Sequence, residues 1–312
     1  MNSKEQTKIK QMNCKINYNP SFDKFDLQLE GPLSVCWQIT TLCNLSCKYC
    51  ISNSGNRGEY GLDTNTAKKV ITHFGERGLI RLDFTGGEPL IRKDLGELLE
   101  TARAQDIFTI VTTNTLLLDP EKINYLKKYA SLVQVSIDGS KEIHNTQRGA
   151  DVFDKTINNI FALSEAGCKI RLNSFLYNSN KDQIDYLLNL SKTLNVHSHL
   201  FILFAAQGRG VNYESEIIDS VERESIKSKL KNFSEKNNFY VRLYDYEEHK
   251  YSCVLVRPNG DVISQAMHER DCLYAGNLLE RSITDIFDSP VFDKFSHVSH
   301  YLQKRNMYVN SR

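Results

Sequence analysis

Short apolar runs alternate with amphipathic stretches from about residue 34 to residue 204 of this 312-residue chain. The runs near 34–39, 80–85, 107–112, 132–137, 169–175 and 198–204 predict strands. Helical periodicity near 64–76, 94–104, 120–129, 152–165 and 181–194 predicts helices between them. Asp63 or Thr64 opens the first helix, Asp119-Pro120 opens the third, and Gly167 ends the fourth. Strand–helix alternation at this spacing implies a parallel sheet with right-handed crossovers. Six such units are too few for a closed eight-stranded barrel. The expected fold class is therefore α/β, a partial (β/α)6 barrel of parallel strands with a small C-terminal α/β extension.

Polarity also alternates within the strands. In "RLDFT", Arg81, Asp83 and Thr85 share one parity, and Leu82 and Phe84 the other. In "VQVSID", Gln134, Ser136 and Asp138 oppose Val133, Val135 and Ile137. Arg171 and Asn173 oppose Ile170 and Leu172, while Cys36, Gln38 and Thr40 oppose Val35, Trp37 and Ile39. Strands buried on both faces read as continuous apolar runs. The alternation predicts a curled sheet, apolar toward the helices and polar toward a ligand-sized lumen; ordinary polarity at the sheet ends is the alternative. Polar loops follow the strands: a cysteine loop, "TGGEP", "TTN", "SIDG" and "QGRG". Ligands of α/β folds sit at that carboxyl edge.

After about residue 210 a charged helical stretch precedes strands around a turn at Pro258-Asn259-Gly260. This suggests an N-terminal arm (1–33), a barrel core (34–210) and an extension (211–312) too small to hold a large core alone. The net charge of +1, with both signs interspersed, disfavours nucleic acid as a partner. No apolar stretch is long enough for a membrane span, and the polar N-terminus lacks a secretion signal. A cytoplasmic location is expected, where eight cysteines point to metal or redox chemistry rather than disulfides.

The stretch "ITTLCNLSCKYC" places Cys43, Cys47 and Cys50 in one short loop. The pair Cys47–Cys50 could be half of a structural zinc site, which usually takes two such pairs. Three thiolates on one loop can instead hold three irons of a [4Fe–4S] cluster and leave the fourth open to an outside ligand.

Cys-x3-Cys-x2-Cys with an aromatic before the last cysteine, here Tyr49, resembles the signature of the radical S-adenosylmethionine (radical SAM) superfamily. The resemblance extends from about residue 33 to 290. "TGGEP" is similar to the family's Gly-Gly-Glu-Pro motif, in which Gly86 and Gly87 let the backbone approach the methionine amino group and Glu88 contributes a carboxylate. "SIDG…EIH…RG" and "GRG" resemble the subgroup with a C-terminal SPASM or twitch extension. That resemblance places Asn114, Ser136 and Asn173 near SAM. It lets Arg148 pair bidentately with a carboxylate; a solvated arginine at a helix start is the alternative. The family's cofactors are the [4Fe–4S] cluster and SAM, fed by a flavodoxin- or ferredoxin-type electron donor. Reductive cleavage of SAM yields a radical that takes a hydrogen atom from the substrate. The lumen would hold that substrate, with Arg81, Asp83, Gln134, Asp138 and Arg171 as candidate contacts.

The tail departs from the subgroup. It holds only Cys253 and Cys272, too few for an auxiliary cluster unless His268, Cys36 or another group completes it. A degenerate extension without a cluster, an incompletely ligated cluster, and a catalytic Cys253 or Cys272 donating a hydrogen atom are the open readings. Cys168 is expected to be a small core residue, Cys14 incidental, and the "HSH" at 197–199 structural. Relatives in this subgroup often modify ribosomally made peptides, and many carry a leader-binding domain before the cysteine motif. Only 42 residues precede Cys43, so that domain is not expected within this chain. Peptide modification is the expected function. Oxidation or epimerisation of a sugar, aminoglycoside or nucleoside is the alternative, and a non-enzymatic regulator is disfavoured by the intact Gly-Gly-Glu motif.

Overall fold

The computed structural model describes residues 14–19, 24–29, 32–248 and 254–287. Strands β1 (Cys14–Asn19) and β2 (Lys24–Leu29) form an antiparallel pair. Six parallel strands then follow in chain order: β3 (Ser34–Thr40), β4 (Arg81–Gly86), β5 (Phe108–Thr113), β6 (Leu132–Ser136), β7 (Ile170–Leu176) and β8 (Ser198–Leu203). The crossovers contain α1 (Thr64–Glu76), α2 (Leu95–Ala104), α3 (Pro120–Tyr129), α4 (Lys141–Arg148), α5 (Phe153–Glu165) and α6 (Ile184–Thr193). Asp63 and Asp119 accept backbone N–H bonds at the starts of α1 and α3, as their sequence positions predict. The periodicity missed α4 because "KEIHNTQR" contains one apolar residue, Ile143.

The strand parity is a property of the curled sheet, not of its ends. Val35, Trp37, Ile39, Leu82, Phe84, Val111, Val133, Val135 and Leu172 are buried in one cluster with residues of α1, α2, α5 and α6. Trp37 packs edge-on to Phe74 of α1 and stacks near Phe84. On the opposite parity Gln38, Asp83, Gln134 and Asn173 are also buried, although polar and mid-strand. Buried polar groups in a strand need partners, and Asp83 and Gln134 find theirs on the same parity, in Arg81 and Arg171.

Residues after 210 continue this same sheet on both margins. They form α7 (Ser220–Asn237), β9 (Tyr240–Tyr244), β10 (Val254–Val256), β11 (Asp261–Ser264), β12 (Leu273–Asn277) and α8 (Ile283–Phe287). Strand β9 pairs parallel with β8, whereas β10 pairs parallel with β3. Strands β11 and β12 add antiparallel, giving ten strands in the order β12-β11-β10-β3-β4-β5-β6-β7-β8-β9. The chain after β11 then reaches the loop after β8. Ala206 N donates to the Met267 carbonyl at 3.0 Å, Gln207 Nε2 donates to the Ala266 carbonyl, and Ala205, Tyr246 and Met267 share a buried cluster. The two margins are thereby tied to each other. Among the described residues no helix is long and apolar enough to cross a membrane.

Candidate active site

Strand β3 runs straight into the cysteine loop, which its neighbours hold on three sides. Within the loop, Cys43 N donates to Gly55 O at 2.9 Å and Thr41 N to Glu59 O at 2.9 Å. From the loop after β4, Gly87 N donates to Thr40 O at 2.7 Å and Glu88 N to Leu42 O at 2.9 Å. From the end of α4, Gln147 O accepts from Lys48 N at 2.9 Å. From the loop after β8, Arg209 N donates to Cys50 O at 3.0 Å, its Nε to Cys47 O at 2.8 Å and its Nη1 to Ser54 O at 2.6 Å. The "GRG" segment therefore clasps the cysteine loop. Gly208 has φ +55°, and a Cβ there would lie 2.4 Å from Cys50 O, so only glycine brings Arg209 this close. Arg209→Ala removes the side-chain bonds to Cys47, Asn53 and Ser54 and should speed iron loss to a chelator at least severalfold, followed by the decay of the reconstituted protein's visible absorbance.

Each of the three sulfurs has a polar hydrogen aimed at it. Leu45 N lies 3.4 Å from Cys43 Sγ and Ser54 N 3.4 Å from Cys50 Sγ. Arg148 Nη1 lies 3.7 Å from Cys47 Sγ. Asn114 Nδ2 approaches Cys43 Sγ at 3.9 Å. Burial pushes the Cys43 thiol up to about 12 and also raises Cys47, against the opposing charge of Arg148. Buried thiolates in this setting call for a bound cation, which inverts the preference for the protonated form. Among the described residues no group of three or more His, Cys, Asp or Glu could hold a single metal ion. A cubane asks for something else, one thiolate on each of three irons. The donor set fits a [4Fe–4S] cluster.

Glu88 is fully buried and its carboxylate is occupied by the protein. It accepts from Leu90 N at 3.0 Å and Thr113 Oγ1 at 2.7 Å through one oxygen, and from Asn114 N at 2.7 Å through the other. It thus braces the loop after β4 against the loop after β5. The close approach that Gly86 and Gly87 allow is likewise to the chain's own backbone: a Cβ at Gly86 would lie 2.1 Å from Thr40 O, and one at Gly87 2.0 Å from Leu42 O. Burial, outweighing these hydrogen bonds, pushes Glu88 up to about 7 from 4.5. A carboxyl raised in the folded state contributes stability that is full below the unfolded pKa and lost as pH rises through the folded one. Wild-type stability should therefore fall by about 3 kcal/mol from this group between those two values. Glu88→Gln, which cannot titrate, should lose that slope in denaturant unfolding measured against pH.

Arg148 is the last residue of α4 and nearly enclosed, not a solvated arginine at a helix start. Its Nη2 lies 2.6 Å from Asp138 Oδ2 and its Nη1 reaches Cys47, while its buried Nε has no partner. Burial works against its charge, but Asp138 and then Cys47 outweigh that and hold the guanidinium protonated. Asp138, read from parity as a substrate contact, is instead wholly buried as the counter-ion of Arg148, and its Oδ1 accepts from Phe175 N at 3.2 Å. His144 beside it is pushed down to about 4 by burial and the Arg148 charge. Asn114 ties the loops together, donating to Asn44 Oδ1 at 2.8 Å and accepting from Leu116 N at 3.0 Å. Ser136 and Asn173 are register partners on β6 and β7, and the buried Asn173 Oδ1 has no partner. Tyr49 is enclosed by Tyr177, Phe204 and Tyr213 with ring centroids 4.8–5.1 Å away, and its hydroxyl donates to Glu216 at 2.9 Å.

Of the tail cysteines, Cys253 lies outside the described residues. Cys272 is half-buried beside the His268 carbonyl at 3.8 Å. Cys168 packs against the main core, and His199 is buried between Ser174 Oγ at 2.8 Å and Ser191 Oγ at 2.7 Å. Sequence reasoning missed the brace at Glu88, the clasp at Arg209 and the Arg148–Asp138 pair. The "GRG" and "SIDG…RG" motifs marked two of those positions without revealing what they touch.

Residues 37–190 match the radical SAM superfamily. Over 206 residues the chain is 28% identical to the mycofactocin maturase MftC of Mycolicibacterium smegmatis, covering 65% of this chain and 52% of that protein. It is 26% identical over 212 residues to the AdoMet-dependent heme synthase of Oleidesulfovibrio alaskensis, covering 67% and 55%. The chain thus spans about half the length of the curated relatives it matches. Among solved structures it is similar in fold to Streptococcus suis SuiB bound to its precursor peptide SuiA, with a TM-score of 0.69 at 17% identity over 85% of this chain and 66% of that one. It is similar too to anSMEcpe with bound AdoMet, with a TM-score of 0.66 at 19% identity over 85% and 82%. That superfamily uses a [4Fe–4S] cluster and SAM, which the donor set around the three sulfurs also suits. Residues 37–190 of this chain are thus a radical SAM domain.

Proposed function

We propose that this chain is a radical SAM enzyme of oxidoreductase or epimerase type that takes a hydrogen atom from a ribosomally synthesised peptide. The observation that carries the reading is the loop of Cys43, Cys47 and Cys50, where every sulfur has a donor nitrogen within 3.9 Å and the backbone is clasped by two other loops and the end of α4. These cysteines would hold the cluster, which when bound supplies the electron that splits SAM into methionine and a 5′-deoxyadenosyl radical. Arg148, already braced by Asp138, offers its unpartnered Nε as a fixed positive group toward the methionine carboxylate. Asn173 Oδ1 and Ser136 lie on the lumen face of adjacent strands, suited to hydroxyl groups of the ribose. Glu88 and Asn114 hold the surrounding loops still and so limit reorganisation during the reaction.

The peptide reading draws on MftC, a maturase, and on SuiB, which was solved with its precursor peptide. The small-molecule alternative draws on the heme synthases, which match a similar span. Strands β9 to β12 and α8 fit a shortened SPASM/twitch-like extension, and a flavodoxin- or ferredoxin-type protein in the cytoplasm fits as electron donor. Anaerobically reconstituted protein with dithionite should release 5′-deoxyadenosine and methionine slowly, and faster with the right peptide. The peptide should then show a loss of two hydrogens or uptake of solvent deuterium at unchanged formula. Cluster-loaded protein that leaves SAM intact would sink the reading.

A further inference from the structure

Lower in the lumen, away from the cysteine loop, the polar parity carries the arginines Arg81, Arg171 and Arg242. Arg81 grips Asp83 with both Nε, at 2.7 Å, and Nη2. Gln134 Nε2 donates to Thr112 Oγ1 at 3.1 Å, and its Oε1 accepts from Arg171 Nε at 2.7 Å. Arg171 Nη2 has no hydrogen-bond partner although it is shielded from solvent. Arg242 on β9 shares this face, through the register Asn173–Leu200–Arg242. Asp83, which lies on the same face, is already engaged by Arg81. Burial, aided by the Arg81 and Arg242 charges against the pull of Asp83, pushes Arg171 down to about 10. A guanidinium so placed gains from a further anion. The same parity brings two aromatic residues to the mouth at the strands' N-terminal edge: Phe108 opens β5 and is 45% exposed, and Tyr240 opens β9 and is 60% exposed.

We propose that Arg171 seats a carboxylate of the substrate peptide, admitted through this mouth past Phe108 and Tyr240. The planar fork of an arginine pairs with both oxygens of a carboxylate, whereas an amide offers it one. The seat takes its ligand class from the peptide substrate proposed above. At about 3.3 Å per residue, Arg171 lies roughly 16 Å below the carboxyl end of β7. An extended peptide anchored there spans that distance with about five residues. Hydrogen abstraction would then fall about that far along the chain from the anchored carboxylate.

The test uses cluster-loaded protein with neither SAM nor reductant and three probes: N-acetylphenylalanine, N-acetylphenylalaninamide and N-acetylaspartic acid α-amide. Ligand-observed NMR titration should show saturable binding of an acid and at least tenfold weaker binding of the neutral phenylalaninamide. Preference for the first probe marks a chain-terminal carboxylate, and preference for the third an acidic side chain. Arg171→Gln should weaken acid binding at least tenfold and leave the neutral probe unchanged, with Arg171→Lys in between. Should the Gln variant not fold, the wild-type comparison and the Lys variant decide. Equal binding of acid and neutral probe, acid binding unchanged in the variants, or no acid binding up to the solubility limit overturns the proposal. Acid binding in a protein that cannot cleave SAM would leave the seat standing while the enzymatic reading falls.

Discussion

Protein carrying Cys43→Ala, Cys47→Ala and Cys50→Ala together should retain no iron after anaerobic reconstitution, against about four irons per chain for the wild type. The reason is local: each sulfur sits beside its own N–H donor, and one short loop carries all three. The substitutions remove thiols but none of the backbone bonds from Thr41, Cys43, Lys48 and Arg209 that shape the loop. The variant should therefore fold, with its circular dichroism and melting temperature near those of the apo wild type. It should also form no 5′-deoxyadenosine. About four irons surviving in the variant would mean an auxiliary cluster in the tail, with Cys272 among its ligands, and would overturn the one-cluster reading.

The second large effect is expected from Gly87→Val, and it differs from what the motif alone suggests. A motif glycine beside a bound ligand implies that a larger side chain would exclude the ligand and spare everything else. Here the added Cβ would stand 2.0 Å from Leu42 O and 2.6 Å from Leu42 C, which are backbone atoms of the cysteine loop. Backbone cannot rotate aside as a side chain can, so the loop must move. The bonds from Gly87 N to Thr40 O and from Glu88 N to Leu42 O go with it. The variant should lose several kcal/mol of stability, by analogy with other overpacked or strained sites, and should bind iron poorly. Iron content and thermal unfolding check this together. Normal iron with absent SAM cleavage would restore the simpler idea of a blocked ligand.

Much of the core was legible because it is local. Strand limits from Ser34 to Leu203 follow runs of apolar residues, and the parity of Arg81, Asp83, Gln134 and Asn173 reported the lumen through a period of two. The three cysteines were legible for the same reason, since they share one loop. What stayed hidden depends on partners far along the chain. Nothing near Glu88 announces Thr113 and Asn114, nothing near Asp138 says that Arg148 will consume its charge, and nothing near Arg209 says that it will hold Cys47. Helix α4 escaped because a helix with one apolar residue leaves no stripe to read. The split of the tail between β8 and β3 was equally hidden, because strand order is set by the closure of the whole sheet.

That split has a consequence for how the protein is made. Strand β3, which leads into the cysteine loop, lies at a free edge until Val254–Val256 arrives to pair with Val35–Trp37. On a ribosome the edge waits for more than two hundred further residues to be added. An apolar strand with unmatched amides is a template for wrong pairing during that time. The nascent chain should therefore depend on a chaperone at the exit tunnel, and truncation before residue 254 should turn a folding protein into an aggregating one.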